Sequence, residues 1–185
     1  WKDRAEYDLY EAIGKEADPK NKEGDPKKAL GLLDTWKEKY PGSEYAEARF
    51  GFYVDTYRKL NNAPKMMETA QAWLAANPKA IQALYFINLL TPSLNNTAPD
   101  ALEASEKAGR SLLGNLDEFF APEKKPAAAS EADWKKGRSD MAALANRTLG
   151  WVAWQRKSYA EANKHLTENL TLNPADAEAS AWLGT

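Results

Sequence analysis

Three prolines, Pro41, Pro78 and Pro174, mark the same point in a recurring pattern, and that shared phase constrains the fold more than any other feature of the chain. Nine residues after them stand Phe50-Gly51, Ile87-Asn88 and Leu183-Gly184, each a large apolar residue followed by a small or compact one. Twelve residues before the same prolines stand Ala29, Met66 and Ala162, and eight before them stand Leu33, Ala70 and Leu166. Leu149-Gly150 lies 34 residues ahead of Leu183-Gly184, and Ile13-Gly14 lies 37 ahead of Phe50-Gly51. Apolar residues recur at spacings of three and four, and alternation of period two persists nowhere, so the repeating units are helical. Proline stops one helix so that the next can fold back, and a small residue at a helix crossing lets two backbones approach.

The ends of the helices carry their own marks. Asp25-Pro26 places an N-cap ahead of a first-turn proline. Ser158-x-x-Glu161 reads as a capping box, and Thr97-x-x-Asp100 and Ser130-x-x-Asp133 as its aspartate versions. Helix ends are expected near Tyr40-Pro41, Asn77-Pro78 and Asn173-Pro174. One interruption breaks the array: Ile87-Asn88 and Leu149-Gly150 are 62 residues apart. This spacing reads as a second helix lengthened to about Phe120, with Ala101, Ala104, Ala108, Leu112, Leu116 and Phe120 on one face. A low-complexity loop from Ala121 to Ser130 follows, then a first helix from about Glu131 to about Arg156, roughly 39 Å long at ~1.5 Å per residue.

The pattern resembles the tetratricopeptide repeat, a helix–turn–helix unit of about 34 residues. The last stretch carries the likeness best, with Leu149-Gly150 in the first helix, Tyr159-Ala160-Glu161-Ala162 opening the second, and Asn173-Pro174 closing it. The resemblance implies an all-α, right-handed superhelical solenoid of antiparallel helix pairs, about four and a half repeats long. Its approximate bounds are 1–41, 42–78, 79–129 with a lengthened second helix and loop, 130–174 with a lengthened first helix, and a partial unit 175–185. Asn88 and Met66 occupy positions where the family prefers a small residue, so looser packing is expected there. The chain starts at Trp1 and stops two turns into a first helix, so the natural protein is expected to continue beyond residue 185. The non-Met start and the lysine- and alanine-rich loop are similar to exported bacterial repeat proteins, which leans towards the cell envelope, periplasm or outside.

Composition narrows the function classes. The formal charge is −2, from 25 Lys and Arg against 27 Asp and Glu, and no basic face suits a nucleic acid. No apolar run reaches the roughly 18–20 residues that span a bilayer. There is no cysteine, which removes disulfides, thiolate nucleophiles and cysteine-based zinc sites. His165 is the one histidine, so a multi-histidine metal site is impossible, and it reads as a surface or partly buried residue. Carboxylate pairs such as Asp117-Glu118 read as solvated faces. The sequons at Asn95, Asn146 and Asn169 read as chance, two of them falling within helices. No catalytic residue, metal or cofactor is expected, and the chain is read as not being an enzyme.

What remains is recognition. The resemblance implies that first helices line a concave face. The positions facing it are Asp8, Glu11 and Lys15 in repeat one, and Tyr45, Ala48, Phe52 and Asp55 in repeat two. Repeat three gives Gln82, Tyr85 and Leu89, and repeat four gives Leu144, Arg147, Trp151 and Trp154. The candidate site is therefore a groove with an aromatic floor of Phe52, Tyr85 and Trp151, flanked by charge, that binds a protein or peptide. The competing reading is that several of these aromatics pack against neighbouring helices. The lysines and asparagines that grip terminal carboxylates in some family members are not reproduced, since Ala48, Phe52, Tyr85 and Leu89 stand there. Trp36 and Trp73, each five residues before a phase-marking proline, read as core, while Trp134 is left open between a helix contact and solvent. The alternative function is the helical scaffold portion of a larger enzyme or cell-envelope assembly.

Overall fold

The computed structural model describes residues 3–184. Trp1, Lys2 and Thr185, and with them the expectations about both chain ends, lie outside the described residues. The described residues form ten α-helices and no strand. They group into two compact units, one up to Gln82 and one from Ala83 onward.

The first unit contains α1 (Arg4–Ala17), α2 (Pro26–Lys39), α3 (Ala46–Lys59) and α4 (Ala63–Ala76). Its pairs run antiparallel, as two crosslinks at opposite ends demonstrate. Trp36, near the end of α2, donates its indole N–H to Glu6 near the start of α1 at 2.7 Å. Lys28, at the start of α2, meets Glu16 at the end of α1 at 2.6 Å. In the next pair Trp73, late in α4, donates to Glu47 early in α3 at 2.8 Å. Ile13, Ala17, Ala29, Leu33 and Trp36 form the core between α1 and α2. Burial of each large member stabilises the pair by about 1.5–3 kcal/mol. Asp25 caps α2 with Pro26 behind it, as the residue types require. The turn after α1 is held by Lys59, whose ammonium donates to the carbonyls of Glu16 and Asn21 at 2.9 Å each.

The second unit comprises most of α5 (Ile81–Leu94), then α6 (Pro99–Gly114), α7 (Leu116–Phe119), α8 (Glu131–Gln155), α9 (Tyr159–Leu172) and α10 (Ala177–Leu183). The second half of α8 is its axis. Ten of its residues between Ala142 and Ala153 are buried, which leaves no polar stripe and marks a helix packed on several sides. Gly150 makes the α8–α9 crossing possible: a Cβ there would stand 2.6 Å from Leu166 Cδ2 and 3.2 Å from the Leu166 backbone nitrogen. Against expectation, Gly14 and Gly51 do not share this role. Their added Cβ atoms would meet only side-chain carbons at 3.7 and 3.9 Å, ordinary contact distances. A crossing glycine absent from the sequence reading is Gly109 of α6, whose Cβ would come 2.9 Å from Leu149 Cγ.

Asn88 is fully buried. Pro92 lies inside α5, and because proline has no N–H, the Asn88 carbonyl loses its helical donor. The Thr148 hydroxyl of α8 supplies the replacement at 2.8 Å. Ser130 does cap α8, accepting from the Asp133 N–H at 3.0 Å. Ser158 caps α9 without a side-chain bond, and Glu161 instead pairs with Arg110 of α6 at 2.7 Å. The cap of α6 is Ala98 rather than Thr97, because Pro99 fills the first helical position. The helix does not continue to Phe120 but breaks at Asn115, whose side chain bonds back to the Ser111 carbonyl at 2.7 Å and competes with the helix backbone. Beyond the break, Phe120 packs on Trp134 at 4.8 Å between centroids, and the Trp134 indole donates to the Phe120 carbonyl at 3.0 Å. That pair fixes the start of α8 and resolves the role of Trp134. No described helix is long and apolar enough to cross a membrane.

Candidate functional site

The position five residues before each phase-marking proline carries a side chain that crosses to the first helix of its pair. Trp36 and Trp73 hold it in the first unit, both buried, each sending its indole N–H across to the first helix of its own pair. In the second unit the same position is Asn169. It is 1% exposed, and its amide donates to the Ala143 carbonyl of α8 at 2.9 Å, so the cross-link to the first helix is kept while the bulk is not. Beside it opens a cavity of about 410 Å³ bounded by α5, α8, α9 and Asp176. Its apolar wall comes from Tyr85 and Leu89 of α5 and from Met141 and Leu144 of α8.

Polar groups ring this wall. Lys136 and Asp140 form an exposed ion pair at 2.6 Å, one helical turn apart. Arg147 is half-buried: its Nη2 pairs with Glu178, its Nε stands 3.4 Å from Asp176 Oδ2, and its guanidinium lies 5.5 Å from the centre of the Trp182 ring. The Nε–Asp176 contact is an ion pair without hydrogen-bond geometry, so the buried Nε–H makes no hydrogen bond. The buried Oδ1 of Asn169 is also without a donor. Such atoms are uncommon, because burying an acceptor without a donor costs about 1–3 kcal/mol. Behind the cavity, His165 meets Asn146 Oδ1 at 2.8 Å. The Asn146 amide nitrogen is engaged with the Ala142 carbonyl, so its oxygen faces the ring and His165 Nδ1 carries the proton. Burial pushes the His165 pKa below its ordinary value and keeps the ring neutral.

Of the residues expected in the groove, the structure brings Tyr85, Leu89, Leu144 and Arg147 together at this cavity. The others go elsewhere. Trp151 is 2% exposed and packs with Leu102 and Val152, so it belongs to the core and not to a floor; α6 covers the face of α8 that the groove reading left open. Phe52 stacks edge-on against Tyr10 at 5.0 Å and leans on Trp36, filling the first unit's core. Tyr45 and Ala48 pack on that same core. Asp55 is half-buried with its carboxylate bound to Arg58 at 2.6 Å, and burial raises its pKa. Trp154 packs on Ala153, Ala162, Leu166 and Ala179. Gln82 is exposed, as are Asp8, Glu11 and Lys15 on α1, with Asp8 paired to Arg4 at 2.8 Å.

The helix-pair arrangement is similar to that of a solved tetratricopeptide repeat protein from Parabacteroides merdae, at 15% identity over 95% of this chain and 71% of that one, with a TM-score of 0.44. No family model matches the sequence, and no curated protein matches it.

Asn169, Asn173, Asp176, Lys136 and Asp140 complete the cavity and were absent from the groove expected from sequence. The signal for Asn169 was present: an asparagine stands where two tryptophans mark the same phase. The others come from the loop after α9 and from the α8 extension, neither of which a rule confined to the first helix of a regular unit can reach.

Proposed function

We propose that the chain is a non-catalytic docking module that holds a segment of a protein partner in the cavity bounded by α5, α8 and α9. The observation that carries this reading is the coincidence, in one concavity of about 410 Å³, of an apolar wall from Tyr85, Leu89, Met141 and Leu144 with the polar side chains of Arg147, Asn169 and Asn173. Recognition sites concentrate affinity in a few buried anchors surrounded by polar groups that fix orientation. Tyr85, Leu89 and Leu144 supply the former, and Arg147, Asn169 and Asn173 the latter. Tetratricopeptide-like helix pairs are suited to such work because the packed pairs leave a preformed surface, which lowers the cost of ordering on binding. The extended N-terminal half of α8, exposed from Glu131 to Asp140 apart from half-buried Trp134, Gly137 and Ser139, forms a charged lip beside the cavity.

Panning a random peptide library against the purified chain tests the proposal. Selected peptides are expected to lose at least tenfold in affinity towards Leu89→Ser and Arg147→Ala variants that retain wild-type helix content. Selected peptides that bind both variants as tightly as the wild type would remove the cavity from consideration.

A further inference from the structure

We infer that the C-terminal end of α1 is a cradle for a small ammonium ion, and that the chain fills it with its own Lys59. The inference is independent of the docking reading above.

The cradle follows from the way α1 stops. A helix leaves its last carbonyls without intrahelical donors, and its dipole makes that end attractive to a cation. The first helices of the later pairs meet this need with a left-handed residue just past the end. It is Asn61 after α3 at φ 52°, Asn95 after α5 at φ 48° and Lys157 after α8 at φ 60°. The chain leaves α1 without that turn, since Asp18 has φ −53° and ψ 118°. Two side chains from elsewhere supply the donors instead. The Asn21 amide donates to the Lys15 carbonyl at 2.8 Å. The Lys59 ammonium, 43 residues from Glu16, donates to the carbonyls of Glu16 and Asn21 at 2.9 Å each and to that of Asp18 at 3.3 Å.

The site is matched to an ammonium in number, charge and room. An alkylammonium has three N–H donors and no acceptor, and three carbonyl oxygens converge on it here. Hydrogen bonds from a charged donor are the stronger kind. Gly24 keeps the place open, because a Cβ there would stand 2.6 Å from Lys59 Nζ and 2.6 Å from the Glu16 carbonyl oxygen. The Gly24 N–H donates to the Asn21 carbonyl at 3.2 Å, so the turn closes back over the ion. The stem of Lys59 supplies reach, and the ammonium does the binding. An untethered alkylammonium therefore takes the site once the stem is cut.

Lys59→Ala removes the ammonium and three methylenes, which n-propylammonium restores. The full chain is melted in n-propylammonium chloride and, at equal concentration, in tetramethylammonium chloride, whose cation has the charge but no N–H. In the tetramethylammonium salt, Lys59→Ala should lower the Tm by at least about 3 °C. Measured against the wild type in the same salt, propylammonium should restore at least about half of that loss. Lys59→Met, whose stem fills the approach without a charge, should show a similar loss and no recovery. The Asn21 and Gly24 amides, which close the turn, should exchange about tenfold faster in Lys59→Ala and slow again with propylammonium. If Lys59→Ala is unfolded by circular dichroism in the tetramethylammonium salt, regained helix content in propylammonium is the supporting result. No recovery at any concentration that leaves the wild type folded would overturn the inference. So would equal recovery in the two salts, wild-type stability of Lys59→Met, or recovery without renewed protection at Asn21 and Gly24.

Discussion

Replacing Thr148 with valine removes one hydroxyl and changes almost nothing in shape, and the consequence follows from a proline one helix away. Pro92 denies the Asn88 carbonyl its helical N–H. The Thr148 hydroxyl is the donor at 2.8 Å, and both Asn88 and Thr148 are fully buried, so no solvent replaces it. Thr148→Val therefore leaves a buried carbonyl without a donor, at a cost of about 1–3 kcal/mol. For a chain of this length that is a fall in Tm of roughly 2–4 °C per kcal/mol. Pro92→Ala restores an N–H at the place from which α5 itself would bond the carbonyl, so the two changes should couple. In the Pro92→Ala background the valine should cost less than about 0.5 kcal/mol, giving a coupling energy of roughly 1–2 kcal/mol in a double-mutant cycle. Urea unfolding followed by far-ultraviolet circular dichroism on all four proteins measures it, with m-values compared to confirm that the same transition is read. An equal cost of Thr148→Val in both backgrounds would refute the argument, because the hydroxyl would then not stand in for the missing N–H.

Gly150→Ala should destabilise by about 1–3 kcal/mol, since its Cβ would press on Leu166 within 2.6 Å. Gly51→Ala, with 3.9 Å to the nearest atom, should instead stabilise α3 by about 0.5–1 kcal/mol; chemical denaturation separates the two signs. Lys157 has φ 60° and closes α8 in a Schellman turn, with the Ser158 and Lys157 N–H groups donating to the carbonyls of Ala153 and Trp154 at 2.9 Å each. Lys157→Gly should therefore raise the Tm, by the equivalent of about 0.5–1 kcal/mol. The Glu16 carboxyl is held below its ordinary pKa by the Lys28 ammonium and by the Asp25 N–H. The unfolded chain then binds this proton more readily than the folded one, so its contribution is present above the unfolded pKa of about 4.3 and fades as the pH falls through the folded value. Glu16→Gln should flatten the stability profile in that acidic window and leave its shape near pH 7 unchanged.

The fold was legible wherever one helix reported on its own burial. The prolines at 41, 78 and 174 and the apolar positions twelve and eight ahead of them place α2, α4 and α9 because a repeated unit must bury the same face each time. Trp36 and Trp73 read correctly as core for the same reason. Trp151 and Phe52 did not read correctly. Their spacing marks one face of a first helix, but whether that face is open depends on what a distant segment does. In this chain α6 covers Trp151, and Tyr10 and Trp36 meet Phe52. The bond between Thr148 and Asn88 spans 60 residues, and no local pattern announces it. Pro92 alone would argue for a helix end. The continuity of α5 past it requires a donor from elsewhere. The cavity was half legible, since Tyr85 and Arg147 lie on the expected first-helix faces. Asn169, which also lines it, becomes visible only when the units are laid over one another and it stands where the first unit carries tryptophan.

The central claim, that a partner segment docks in the concavity of α5, α8 and α9, is tested most directly by hydrogen–deuterium exchange of the chain with and without a panned peptide. The account predicts slowed exchange confined to residues 83–90, 131–147 and 169–176, with residues 44–58 of the first unit unchanged. Slowed exchange in residues 44–58, with the α8 and α9 segments unaltered, would contradict it.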